Sequence, residues 1–209
     1  MSIADIRQQY RKGVLLENAI ASNPFDQFST WFNDALKAEV IEPNAMTLAT
    51  VQNGQPSARI VLLKGFDARG PVFFTNYESD KGQQLHASPR AALLFFWPEL
   101  ERQVRFEGIV EKVPAAESDE YFHSRPLESR IGAWASPQSR PISRDALEQR
   151  VADLAAKLGS EPARPEHWGG YRLTPHRVEF WQGRPSRLHD RLCFTQQPDG
   201  QWALQRLAP

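Results

Sequence analysis

A chain of 209 residues with 41% hydrophobic and 24% charged side chains fits one domain and is long enough to bury a core. Its 25 basic and 25 acidic side chains cancel to a formal net charge of zero. That excludes a whole-chain attraction to nucleic acid or to an anionic membrane, so any anion site must come from local clustering.

The elements follow in order. Residues 1–22 are polar with few apolar anchors and read as a mobile N-terminal arm preceding a single domain over 23–209. Asn23-Pro24 opens a helix as N-cap and first helical residue, and Phe25, Phe28, Phe32 and Leu36 recur at helical spacing to give it a core-facing side. From Ala45 the period changes to short extended runs, 45–51, 58–66 and 71–76, separated by turns containing Asn53-Gly54 and Arg69-Gly70. A short helix over 79–87 precedes the strand pair 91–97 and 102–113, where Val104, Phe106 and Val110 share one face and Gln103, Arg105 and Glu107 the other.

Helices are expected over 114–124, introduced by Pro114, and over 143–158, where Ser143 caps a stripe of Leu147, Val151, Leu154 and Leu158. Residues 159–170, rich in Pro and Gly, read as a loop, followed by strands near 177–182 and 201–207. The sum is a mostly β fold with peripheral helices, an antiparallel sheet of six or more strands closing on itself.

Several functions are disfavoured. Cys193 is the only cysteine, so neither an intrachain disulfide nor a cysteine-rich zinc site can form. His86, His123, His167, His176 and His189 include no close ligand pair, and no glycine-rich dinucleotide or triphosphate loop is present. No metal, nicotinamide or ATP is expected. Arg7, Gln8, Gln9, Arg11 and Lys12 interrupt any signal core, and the run 91–97 is too short for a bilayer. A soluble, cytoplasmic protein is the expectation.

The chemistry concentrates in a few segments. Glu179-Phe180-Trp181-Gln182-Gly183-Arg184-Pro185-Ser186-Arg187-Leu188-His189-Asp190-Arg191 sets a flat indole, three arginines and one histidine within thirteen residues. Trp181 offers a face to a planar ring, Arg187 and Arg191 suit anionic oxygens, and His189 can exchange a proton near neutrality. Arg187 and His189, two apart on an extended segment, would project to the same side.

Upstream, Arg59-Ile60-Val61-Leu62-Leu63-Lys64, then Phe73-Phe74-Thr75-Asn76 with Lys81, offer phosphate partners in Arg59, Lys81 and Thr75. On one uninterrupted strand Arg59 and Lys64 would face opposite sides, so a twist, a bulge, a strand end or a second subunit must reconcile them. Gln103, Gln138 and Ser139 can donate and accept at a ring edge. Tyr121, Arg125 and Ser129 supply one guanidinium and two hydroxyls for a phosphate monoester, the first two stacked if the helix continues through them.

With Tyr121-Phe122-His123-Ser124-Arg125-Pro126 and Ser129-Arg130-Ile131-Gly132-Ala133-Trp134-Ala135-Ser136-Pro137-Gln138-Ser139, these motifs give the chain a resemblance to the pyridoxine (pyridoxamine) 5′-phosphate oxidase family from about Ile6 to Pro209. The resemblance implies an FMN-binding split β-barrel and a homodimer with FMN at the subunit interface. It also implies oxidation of pyridoxine 5′-phosphate and pyridoxamine 5′-phosphate by O2 to pyridoxal 5′-phosphate, with H2O2 and, from the amine, NH3, in vitamin B6 biosynthesis and salvage. It assigns Arg59, Ile60, Val61, Leu62, Leu63, Lys64, Phe74, Thr75, Lys81, Gln103, Gln138, Ser139, Trp181 and Arg191 to FMN.

To the substrate it assigns Arg7, Tyr10, Lys64, Tyr121, Arg125, Ser129, Arg187, Leu188 and His189, with Arg187 and His189 over the reacting ring. Many members carry arginine directly before the lysine matching Lys81, where this chain has Asp80, expected to face solvent. Two other readings are a related FMN oxidase of phenazine-type biosynthesis and a non-catalytic flavin or pyridoxal phosphate carrier.

Overall fold

The computed structural model describes residues 2–6 and 9–209. Helix α1 (Pro24–Lys37) starts as its sequence dictates, with the Asn23 side chain accepting the Phe25 and Asp26 amides at 3.0 and 2.9 Å. It buries Pro24, Gln27, Phe28, Trp31 and Ala35. Leu36 does not join them and is 51% exposed. It lies about 80° round the helix from Phe28, whereas Ala35 returns almost to Phe28's line, so Trp31 and Ala35 carry the contact instead.

Nine antiparallel strands follow: β1 (Ala45–Gln52), β2 (Gln55–Leu62), β3 (Gly65–Asp67), β4 (Gly70–Asn76), β5 (Arg90–Trp97), β6 (Arg102–Lys112), β7 (Trp168–Gln182), β8 (Asp190–Gln196) and β9 (Trp202–Arg206). The sheet runs β2-β1-β5-β6-β7-β4-β3, with β8 joined to β7 and β9 to β8. β7 is the hub. Its first residues pair with β4, its last with β8, and nearly its whole length with β6. The sheet forks along β7 and wraps a core of Phe28, Phe95, Phe106, Phe180 and Leu192, all nearly inaccessible.

Three sequence expectations need correction here. The run 58–66 is not one strand; β2 stops at Leu62 and β3 restarts at Gly65. The loop placed over 159–170 ends early, because β7 begins at Trp168 and contains Gly169 and Gly170. A Cβ at Gly169 would stand 2.1 Å from the Tyr77 hydroxyl, so that glycine marks close approach rather than a turn. β8 went unrecognised because His189-Asp190-Arg191 masks the alternation by which Leu192 and Phe194 enter the core.

The remaining helices are α2 (Asp80–Ala87), α3 (Ala115–Ser124), α4 (Leu127–Ala135) and α5 (Arg144–Leu158). α4 was not foreseen. It begins directly after Pro126, and its Gly132 weakens the helical signal. α5 buries none of its residues, and Val151 is 37% exposed. It rests on α4, where Arg150 donates to the Ala135 carbonyl at 3.0 Å. No helix among the described residues is long and apolar enough to cross a membrane.

Candidate functional site

A cavity of about 680 Å3 opens where β2, β4, α2, α3 and α4 meet. Ile60, Val61 and Leu62 form one wall, and Lys64 joins them because the strand has already ended. Leu63 turns inward to 8% exposure and lines a neighbouring space under α1 instead. The strand end brings Lys64 to the cavity but does not bring Arg59 there with it. Arg59 itself is half-buried against β1 and α2, donating to Thr50 Oγ1 at 2.6 Å and Gln84 Oε1 at 2.7 Å, and does not line the cavity.

Phe74 and Thr75 of β4, Lys81 of α2 and Gln138 close the second side. Ser79 caps α2, its hydroxyl accepting the Gly82 amide. Lys81 Nζ donates to Gln138 Oε1 at 3.0 Å, and Thr75 Oγ1 bonds the same oxygen at 3.3 Å. Burial, then the Arg59 charge, pull the Lys81 ammonium below its ordinary pKa, with Asp80 partly opposing. Such surplus positive charge at a helix start favours an anion. Asp80 does not line the cavity and is 60% exposed at its side chain, taking a 2.9 Å bond from Arg140, while its amide donates to Ser139 Oγ.

The third side carries Tyr121, Arg125 and Ser129. α3 stops at Ser124 with Arg125 as its C-cap, and Tyr121 and Arg125 both line the cavity. Tyr121 stacks on Phe74 at 4.0 Å, and the Arg125 guanidinium sits 4.6 Å over Trp168. Arg125 Nη1 is buried with no hydrogen-bond partner among the described residues, and burial lowers the guanidinium's pKa. A buried cationic N–H without an acceptor is a seat for an anionic oxygen. The residues present therefore fit a phosphorylated flavin and a second phosphate.

The other candidates lie apart. Gln103, Trp181 and Arg191 are consecutive cross-strand partners on β6, β7 and β8, with Phe96 of β5 continuing the row. Arg191 is paired to the buried Glu179 at 2.9 Å, and Glu179 also takes a bond from Arg105. Trp181 lies 4.7 Å from His189, and Tyr10 meets both rings edge-on at 5.6 and 5.7 Å.

Arg187 and His189 do not sit on an extended segment. Pro185–Arg187 is a 3-10 turn in which Ser186 and Arg187 have φ of 57° and 61°, left-handed values that break the alternation. Both nevertheless line a second cavity of about 520 Å3 with Tyr10 and Arg184. His189 Nδ1 accepts the Arg184 amide at 3.1 Å, which leaves the ring proton on Nε2 in the neutral form. Burial, then Arg187, lower its pKa, with Asp190 partly opposing. Leu188 is 70% exposed, and Arg7 lies outside the described residues.

The two cavities share no lining residue. Sequence reasoning missed Trp168, hidden in a Pro/Gly-rich stretch, and Asp190, an acid set among arginines that accepts from Arg184, Arg206 and the Leu15 amide. Among the described residues no group of acids, histidines and cysteine could hold a metal ion.

Residues 32–158 match the family model described as pyridoxamine 5′-phosphate oxidase, and residues 168–209 match the pyridoxine 5′-phosphate oxidase C-terminal dimerisation region. The chain is 65% identical to the pyridoxine/pyridoxamine 5′-phosphate oxidase of Bordetella pertussis, over all of both chains. Its identity to that of Cupriavidus metallidurans is 61%, over 99% of each. Among solved structures it superposes on PhzG from Burkholderia lata, crystallised with tetrahydrophenazine-1-carboxylic acid, at a TM-score of 0.87 and 32% identity over 94% of this chain and 98% of that one. An FMN-binding protein of Nostoc punctiforme shares the fold at a TM-score of 0.73 and 18% identity, over 91% of this chain and all of the other. With the split-barrel topology and both matched regions in place, the chain belongs to the pyridoxamine 5′-phosphate oxidase family of oxidoreductases.

Proposed function

We propose that the protein binds FMN and oxidises pyridoxine 5′-phosphate and pyridoxamine 5′-phosphate to pyridoxal 5′-phosphate with O2. The observation that carries this reading is a single cavity with two cationic corners, Lys81 on α2 and the orphaned Arg125 Nη1 after α3, joined by apolar and aromatic walls. Lys81, with Thr75 and Gln138 beside it, suits the flavin phosphate; Arg125, Tyr121 and Ser129 suit the substrate phosphate. FMN, when bound, supplies the two-electron acceptor that the carbon oxidation needs and passes the electrons to O2.

The chain's own residues bind and orient. Phe74 and Tyr121 present flat faces, and Lys64 brings a cation to the end of the β2 wall. His189 is neutral at neutral pH and holds its proton at Nε2, where it can donate to a ring substituent while Arg187 balances anionic charge. In one chain these two sit in the second cavity, so a homodimer is the arrangement that completes each site. The match of 168–209 to a dimerisation region supports it, as do exposed Ile60 and Phe96 at the two half-sites. Identity of 65% to the vitamin oxidases against 32% to PhzG, and the unpartnered Arg125, favour a phosphorylated substrate over a phenazine.

The test is visible absorption of the FMN-loaded protein mixed anaerobically with pyridoxine 5′-phosphate. Loss of the oxidised-flavin band, restored on admitting air with formation of pyridoxal 5′-phosphate, is expected. An unchanged spectrum with flavin bound would overturn the reading.

A further inference from the structure

Glu101 is a carboxylate out of place by ordinary rules. It is 8% exposed, pairs with no cation among the described residues, and holds a left-handed backbone at φ 55° and ψ 40° just after the 3-10 turn Pro98–Leu100. Strain and burial together are costly for a glutamate unless the surroundings use the conformation. Its Oε2 accepts two consecutive backbone amides of the N-terminal segment, Arg11 at 2.7 Å and Lys12 at 2.9 Å. Lys12 Nζ fastens the same segment to the Glu99 carbonyl at 2.6 Å.

The turn that carries Glu101 is itself fixed to the end of β7. The Glu101 carbonyl accepts the Gly183 amide at 2.7 Å, and buried Gln182 donates to the carbonyls of Leu100 and Glu101 at 3.2 Å each. Tyr10, the residue before the clamped pair, is thereby laid against Trp181 and His189. The fit admits no side chain at Gly183, where a Cβ would stand 2.7 Å from Tyr10 Cγ.

We propose that Glu101 is the positioning residue of the substrate half-site: its carboxylate grips the amides of residues 11 and 12 and so sets the Tyr10 ring over Trp181 and His189. The inference rests on the proposed oxidase reading for its kinetic consequence, but the clamp can be read without substrate.

Glu101→Gly deletes the carboxylate while suiting the left-handed turn, and Glu101→Gln keeps one acceptor oxygen, enough for both amides at reduced strength. In the FMN-loaded full chain, Glu101→Gly is expected to raise KM for pyridoxine 5′-phosphate about tenfold with kcat and FMN affinity nearly unchanged. Glu101→Gln should recover most of the loss. Combined with Tyr10→Ala, Glu101→Gly should add little, because both act through one ring. Trypsin cleavage after Arg11 and Lys12 in the free protein should quicken about tenfold in Glu101→Gly. An unchanged KM, or effects of the two substitutions that simply multiply, would overturn the proposal, as would unchanged cleavage at those bonds. If wild type fails to oxidise the vitamer, the oxidase reading falls, and the cleavage rates still decide whether Glu101 holds the segment.

Discussion

Arg125 shows how a single side chain can be both ordinary and decisive. In sequence it is one of many arginines near a helix end; in space its guanidinium rests on Trp168 with Nη1 sealed from water and bonded to none of the described residues. A charge-assisted hydrogen bond contributes roughly 1.5–3 kcal/mol. Arg125→Met is therefore expected to reduce kcat/KM for pyridoxine 5′-phosphate by about 10- to 100-fold, with FMN affinity held, measured by steady-state peroxide production and flavin titration. Lys81 gives a pH signature. Its pKa lies below the ordinary 10.5, so it loses its proton before an unperturbed lysine would as pH rises. FMN affinity should begin to fall below pH 10.5, and Lys81→Arg should flatten the profile; equal profiles in a fluorescence titration would remove Lys81 from the phosphate site. Residue types at such positions were legible, because cations, hydroxyls and aromatics announce anion and ring binding. Their partners were not: that Arg125 lacks one, and that Arg191 already has Glu179, are facts of packing.

Elements were legible where periodicity and caps agreed. Asn23-Pro24, Ser79 and Ser143 each stand at the helix starts they announce. Ser79→Ala should lower stability by about 1 kcal/mol and weaken flavin binding, since it caps the helix that carries Lys81; thermal melting with and without FMN separates the two effects. Elements were illegible where a local signal served a distant contact. Gly169 and Gly170 read as loop yet lie in β7 against Tyr77 and Phe74, and the turn at Pro185–Arg187 replaced an extended segment because two left-handed residues are invisible to composition. Asp190, at the start of β8, shows what that turn hangs from. Burial alone would raise its pKa, but bonds from the Leu15 amide, Arg184 and Arg206 outweigh it and hold the carboxyl below 3.8. Its stabilisation is thus complete above pH 3.8 and lost as pH falls further. Asp190→Asn should cost about 1–3 kcal/mol near neutrality and flatten the acid limb of a melting-temperature profile.

For the whole molecule, the antiparallel closed sheet could be read from short turns between β-rich runs, but the division of the candidate site between two cavities could not. No periodicity reveals that Lys81 and His189 occupy separate spaces in one chain. Complementation tests the dimeric reading directly. Arg125→Met and His189→Ala parents should each be impaired, while a reassorted mixture should recover about a quarter of wild-type activity, half of the dimers having one intact site of two. A mixture no better than its parents would place both residues in a site built from one chain.

The two ends of the chain are also joined. Arg206 donates to both carboxylate oxygens of Glu17, at 2.6 and 2.7 Å, to Asp190 at 2.8 Å and to the Leu15 carbonyl at 2.9 Å. That knot spans almost the full contour of the polypeptide, so it cannot be tied until the last strand has been synthesised. Leu15 and Glu17 therefore gain their bonds to Arg206 only once β9 is in place, and a nascent chain short of β9 holds that segment through Glu101 and Asp190 without them.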